Sequence, residues 1–156
     1  LSILYFSYGY TRMKLILGIT GTRDGMSKVQ KENIEAYIEK LLFQQEWSER
    51  ILHQGQCIGV DVELAKLLKN KYGFKIISHP PVKKDLLGIC ENDEVKAPKS
   101  YFVRNRNIVN SCDLLIVVPK ENKHKTFGGT WYTHDFAVSE LKPLCVFYPN
   151  GKVEEK

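Results

Sequence analysis

No apolar stretch of this chain approaches the roughly 20 residues that a membrane-spanning helix needs. Cysteine is scarce: Cys57, Cys90, Cys112 and Cys145 are the only four, and none forms a Cys-x-x-Cys pair. That spacing argues against a zinc ribbon or a disulfide framework, and reduced thiols in a cytoplasmic setting are expected. His53, His79, His124 and His134 show no metal-ligand spacing, so neither a metal nor a separate cofactor is expected. A dense basic block is also missing. The net charge of +5 comes mostly from scattered lysines, which suits solubility better than a nucleic-acid surface. With no internal repeat and no linker-like stretch, 156 residues fit one domain with a sizeable core. Residues 1–12 carry no charge before Arg12 and lack a signal peptide's basic front. They are expected to be a dispensable extension, with Met13 a natural start, residues 13–150 the domain and residues 151–156 a fraying charged tail.

What is present is a repeated alternation of short apolar runs with helical patterns. Residues 14–19, 50–53, 74–78, 114–118 and 144–148 read as strands. Ser27 and Gln30 form a Ser-x-x-Gln capping box, and Ile34, Ile38, Leu41 and Leu42 follow at helical spacing, so a helix is expected over 28–45. A second helix runs from Val60 to a C-terminal cap at Gly73. A third opens with Arg104 and Arg106 and has Val103, Ile108 and Val109 as its apolar side. A fourth covers 130–141. Residues 83–99 have weak periodicity and read as a long loop or short helix. The pattern predicts an α/β fold, a five-stranded parallel sheet with helices on both faces.

Ligands of such sheets bind beyond the strands' carboxyl ends, at the topological switch point. The loops at 20–25, 54–59 and 119–130 all follow strands and should gather there. Their residues suit an anion. Gly21, Thr22 and Arg23 precede the capped helix; Gly55 and Gly59 bracket the second loop; Gly128, Gly129 and Thr130 open the last helix with free backbone N–H groups. Arg104, Asn105 and Arg106 stand just before the buried strand at 114–118, where guanidinium groups can meet phosphate. Asp61 is placed either to bond a ribose, to orient an arginine or to favour its helix dipole. Trp131 and Tyr132 are placed either to stack on a base or to fill the core.

Four blocks carry a family resemblance: Gly18-Ile-Thr-Gly-Thr-Arg23, His53-Gln-Gly-Gln-Cys-Ile-Gly-Val-Asp61, Arg104-Asn-Arg-Asn-Ile108 and Gly128-Gly-Thr-Trp-Tyr-Thr133. Together they resemble the SLOG superfamily, the Rossmann-like group that includes the LOG phosphoribohydrolases and the DNA-processing protein A family. The resemblance spans roughly residues 14–148 and is nearest to small stand-alone members. It implies a Rossmann-like fold and a nucleotide or nucleotide-derived ligand over the glycine loops, with Thr133 in the last block; a homo-oligomer is a separate expectation. The LOG motif Pro-Gly-Gly-x-Gly-Thr-x-x-Glu aligns with Phe127-Gly-Gly-Thr-Trp-Tyr-Thr-His-Asp135, which lacks the Pro, the third Gly and the following Thr and shortens the acid. Arg106 matches the family's catalytic arginine. A ligand-binding sensor or sequestering module is therefore the leading expectation. Hydrolysis of a nucleoside monophosphate through Arg106 and Asp135 is the first alternative, and single-stranded DNA binding the second.

Overall fold

In a computed structural model of the chain, residues 13–156 are described. The expected extension, residues 1–12, lies outside the described residues. The sheet has seven strands rather than five: β1 (Lys14–Gly21), β2 (Glu49–Gln54), β3 (Lys75–Ser78), β4 (Glu94–Val95), β5 (Leu114–Val118), β6 (Leu144–Phe147) and β7 (Val153–Glu155). Their order is β4-β3-β2-β1-β5-β6-β7, all neighbours parallel except the antiparallel pair β6 and β7. The five apolar runs correspond to β1, β2, β3, β5 and β6. The two additional strands lie at the sheet's edges. β4 sits within the stretch read as a loop or short helix, and it is the only regular element there. β7 occupies the stretch read as a fraying tail, which instead pairs along β6.

Among the described residues four helices cover the sheet: α1 (Lys28–Gln44), α2 (Val60–Tyr72), α3 (Tyr101–Ser111) and α4 (Gly129–Ser139). Ile34, Ile38 and Leu41 of α1 and Leu64 and Leu68 of α2 pack with Leu15, Leu17 and Ile19 on one face. Ile108 and Val109 of α3 and Trp131 and Ala137 of α4 pack with Leu115 and Val117 on the other. Because both faces are covered, the strands are apolar on alternate and intervening positions alike; β5 is buried at all five. Val103, expected on the inner side of α3, is exposed, and Arg104 is the buried neighbour. Among the described residues no helix is long and apolar enough to cross a membrane.

The capping box forms as expected, with Ser27 Oγ accepting from Gln30 N and Gln30 Oε1 accepting from Ser27 N. Gln30 has a further role. Its buried Nε2 donates to Pro119 O at 2.7 Å and to Phe147 O at 2.8 Å. One amide thus starts α1 and ties together the carboxyl ends of β5 and β6. From β1 the chain winds outward through β2 and β3, then returns to β5 on the other side of β1. The crevice between the ends of β1 and β5 is the switch point of the sheet.

Candidate functional site

At that crevice lies a cavity of about 730 Å³. Gly21, Thr22 and Arg23 from the end of β1, Asp61 from α2, Arg104 and Asn105 from α3, and Gly128, Gly129, Thr130 and Trp131 from α4 all border it, as does Asp135. The expected convergence of the strand-end loops therefore occurs. Gly55, Gly59, Arg106 and Thr133 are not on its wall.

Two of these absent residues act behind the wall. Gly59 has φ of 88°, and a Cβ there would lie 2.5 Å from Arg23 O and 2.6 Å from Thr22 O. Only glycine lets the second loop press onto the first, where Val60 N donates to Thr22 O at 3.1 Å. Gly55 is enclosed by charge. Its N–H donates to Asp61 Oδ2 at 3.2 Å, as does that of Cys57, while its carbonyl accepts from Arg104 Nη1. Arg104 Nη1 also donates to His79 O at 3.1 Å. A side chain on Gly55 would collide with this guanidinium. Thr133 is likewise internal, its hydroxyl donating to Gly129 O at 2.8 Å within α4.

Arg104 is thus the structural member of the arginine pair. It is only 4% exposed, and its Nε has no partner among the described residues. Burial pushes the Asp61 carboxyl up to about 6, against the opposing pull of the Arg104 charge and of the two backbone N–H groups. Arg106 turns away. Its Nε donates to Tyr132 OH at 2.8 Å, and its guanidinium lies over Phe136 at 5.3 Å. Arg23 and Lys120 are exposed cations on the cavity wall; Lys120 pairs with Asp24 at 3.9 Å, whereas the Arg23 guanidinium lies 6.0 Å from the centre of the Tyr101 ring. Among the described residues no carboxylate pairs with Arg23.

The aromatic groups also sort themselves. Trp131 is 2% exposed, packed near Tyr148 and His134, with Nε1 donating to Glu121 Oε1 at 2.9 Å. It reaches the cavity only as part of the core. The open rings at the mouth are Phe102 at 60% and Phe127 at 70% exposure, with Tyr132 edge-on to Phe102. Neither phenylalanine was singled out from sequence. Phe102 lies seven residues before Val109 and so reads from the helical pattern as part of the apolar face, which hides its exposure. Asp135 Oδ1 accepts from His124 Nε2 and His134 Nδ1, each at 2.8 Å. Burial raises this carboxyl, but the hydrogen bonds from the two histidines outweigh it and leave it below its ordinary range.

A second buried pair lies behind Arg104. His53 Nδ1 and His79 Nε2 are 2.8 Å apart, and burial drives both rings down to about 4 from 6.5. Only one of two neutral rings donates in that bond. Between pH 6.5 and 4 the unfolded chain takes up two protons that these rings refuse, so stability falls on acidification. Asp61 opposes them: raised from 3.8 to about 6, it holds a proton in the folded state across much of that window. Two histidines outweigh one acid, so the net effect is a loss of stability as the pH falls. Urea midpoints are expected to hold above pH 7 and to fall steadily from pH 6.5 towards 4. Midpoints that rise on acidification over that range would show that the pair titrates as free histidines do and leaves the effect of Asp61 alone.

No family model matches this chain, and no curated protein matches it. Among solved structures the fold is similar to that of a molybdenum cofactor binding protein from the phototrophic bacterium Rippkaea orientalis, with a TM-score of 0.63, 19% identity, and coverage of 88% of this chain and 78% of that one. It is also similar to TM1055, a structural genomics target, with a TM-score of 0.53, 14% identity, and coverage of 83% and 72% respectively. At these identities the likeness is one of fold, and it supports a Rossmann-like α/β architecture.

Proposed function

We propose that this chain binds a nucleotide or nucleotide-derived phosphorylated ligand in the cavity at the carboxyl edge of the sheet, as a sensor or sequestering module. The observation that carries the reading is Arg23, an exposed guanidinium on the cavity wall with no acidic partner among the described residues. Around it stand the features a phosphorylated ring compound calls for. α4 begins beside it, capped by Gly128 with φ of 94° and with no acidic residue in its first turn, so its free N–H groups favour an anion. Phe102 and Phe127 offer open ring faces at the mouth. A cavity of about 730 Å³ falls in the usual range for small-molecule sites. Since Arg23 and the start of α4 suit any anionic group, the molybdenum cofactor named for the structural neighbour belongs among the ligands to be tried.

The test is a panel of nucleoside mono- and diphosphates, dinucleotides and molybdenum cofactor, screened by thermal shift and followed by calorimetry. At least one phosphorylated member is expected to raise the melting temperature, and its unphosphorylated counterpart is not. A panel with no response overturns the reading. Binding confined to single-stranded oligonucleotides and steeply weakened by salt would favour the DNA alternative.

Hydrolysis is a separate matter. The acid at the motif position, Asp135, reaches the cavity but its Oδ1 is engaged by two histidines. An oxocarbenium-like transition state needs a carboxylate at the anomeric carbon. Common nucleoside monophosphates are therefore expected to release little base over hours with the wild type. Robust release that Asp135→Asn abolishes would establish a hydrolase instead.

A further inference from the structure

His124 stands in the loop before α4, and His134 and Asp135 follow one another on α4. Both imidazoles direct a nitrogen at the same carboxylate oxygen, 2.8 Å away in each case. One donor atom from each of the three groups lies within 4.8 Å of the others. The rings are held in place: Trp131 packs edge-on against both, with centroids 4.9 and 5.2 Å away, and His134 is 3% exposed. Asp135 also borders the large cavity.

We propose that His124 Nε2, His134 Nδ1 and the Asp135 carboxylate form a binding site for a divalent transition-metal ion, beside the cavity that Asp135 borders. Two imidazoles and one carboxylate match zinc-like ions, whereas magnesium and calcium prefer oxygen ligands throughout. Ligand bonds of about 2.0–2.2 Å around zinc set neighbouring donors roughly 3.3 Å apart. The three groups are near that arrangement, and side-chain shifts on the order of 1 Å complete it. The cluster escapes a spacing search because His124 reaches the other two across a loop, not along one helix.

Lys156 competes for this site. Its Nζ lies 2.8 Å from His134 Nε2. An ammonium has only protons to give, so Nε2 accepts, and Nδ1 carries the proton donated to Asp135. An ion bound at Nδ1 moves that proton to Nε2, where it would face the ammonium. Lys156 must then swing aside, and Glu154 Oε1, 3.6 Å from its Nζ, is ready to receive it.

The site stands independently of the nucleotide reading, and its test omits nucleotide. Tag-free, chelator-washed full chain is titrated with Co²⁺, followed by calorimetry and by visible ligand-field absorption. One equivalent is expected to bind, to be displaced by Zn²⁺ and to ignore excess Mg²⁺. His124→Ala, an exposed change that leaves the core intact, and Asp135→Asn are each expected to weaken Co²⁺ by at least about tenfold, with melting temperature recorded alongside. Lys156→Met is expected to tighten it. Absence of one-equivalent binding, or Co²⁺ affinity unchanged in both ligand variants, overturns the site. Affinity unmoved by Lys156→Met overturns the competition.

Discussion

Arg104→Ala is expected to cost about 2–6 kcal/mol of stability, the scale for leaving two buried carbonyl acceptors unsatisfied. The guanidinium holds the carbonyls of Gly55 and His79 and draws the Asp61 carboxyl down against the effect of its burial. Alanine leaves two buried acceptors and one buried acid without that partner. Each unsatisfied group alone costs about 1–3 kcal/mol. At roughly 2–4 °C per kcal/mol for a domain of this size, the melting temperature should drop by about 10 °C. Arg104→Lys is expected to rescue little: both carbonyls are held by one nitrogen, Nη1, at the end of a side chain longer than that of lysine, and the Nη2 donor to Cys57 Sγ at 3.6 Å is lost. Differential scanning calorimetry of the two variants decides the matter, and a drop below about 3 °C for alanine would show that the loops hold without the guanidinium.

Arg23→Ala should have the opposite profile, a large effect on binding with almost none on folding. A charge-assisted bond to phosphate is worth roughly 1.5–3 kcal/mol, so affinity for a phosphorylated ligand should fall about ten- to a hundredfold. Arg23 is exposed and pairs with no acid among the described residues, so the melting temperature of the free protein should barely move. Arg106→Ala is the control. Its guanidinium is already engaged by Tyr132 and Phe136, and its loss should leave ligand affinity within about threefold, well short of a charge-assisted bond. Calorimetry of all three proteins with the ligand found by thermal shift tests the ranking. A greater loss at Arg106 than at Arg23 would restore the order expected from the family motif.

That change of rank shows where sequence reasoning stops. Arg104 and Arg106 are two positions apart and so point about 200° from each other on a helix. Which one faces inward depends on the helical phase of α3. The apolar pattern set that phase with Val103 inside, whereas the interior position belongs to a charged residue that looks like surface in any hydrophobicity count. Its burial follows from Asp61 and two carbonyls supplied by other segments, a match that no local window contains. The strands divide in the same way. Five were legible because burial on both faces demands continuous runs such as Leu114 to Val118. β4 and β7 are two and three residues long, carry Glu94, Glu154 and Glu155, and are placed by backbone pairing with β3 and β6 rather than by an apolar pattern. The convergence of the loops was legible because it follows from alternation and chain direction. The partnership of His124 with His134 and Asp135 was not, since it depends on how one loop folds back.

The two short outer strands have a consequence for self-association. A long, flat, apolar sheet margin invites another chain to add a strand, which is a common route to runaway aggregation. Here one margin is two residues long with a Lys96–Glu94 ion pair at 2.7 Å. The other runs antiparallel to its neighbour and is dressed by Lys152 and Lys156 around Glu154, at 3.5 and 3.6 Å. Each offers a few main-chain groups flanked by charge, a poor template for a neighbouring molecule. Among the described residues, neither margin favours association of copies through a continued sheet.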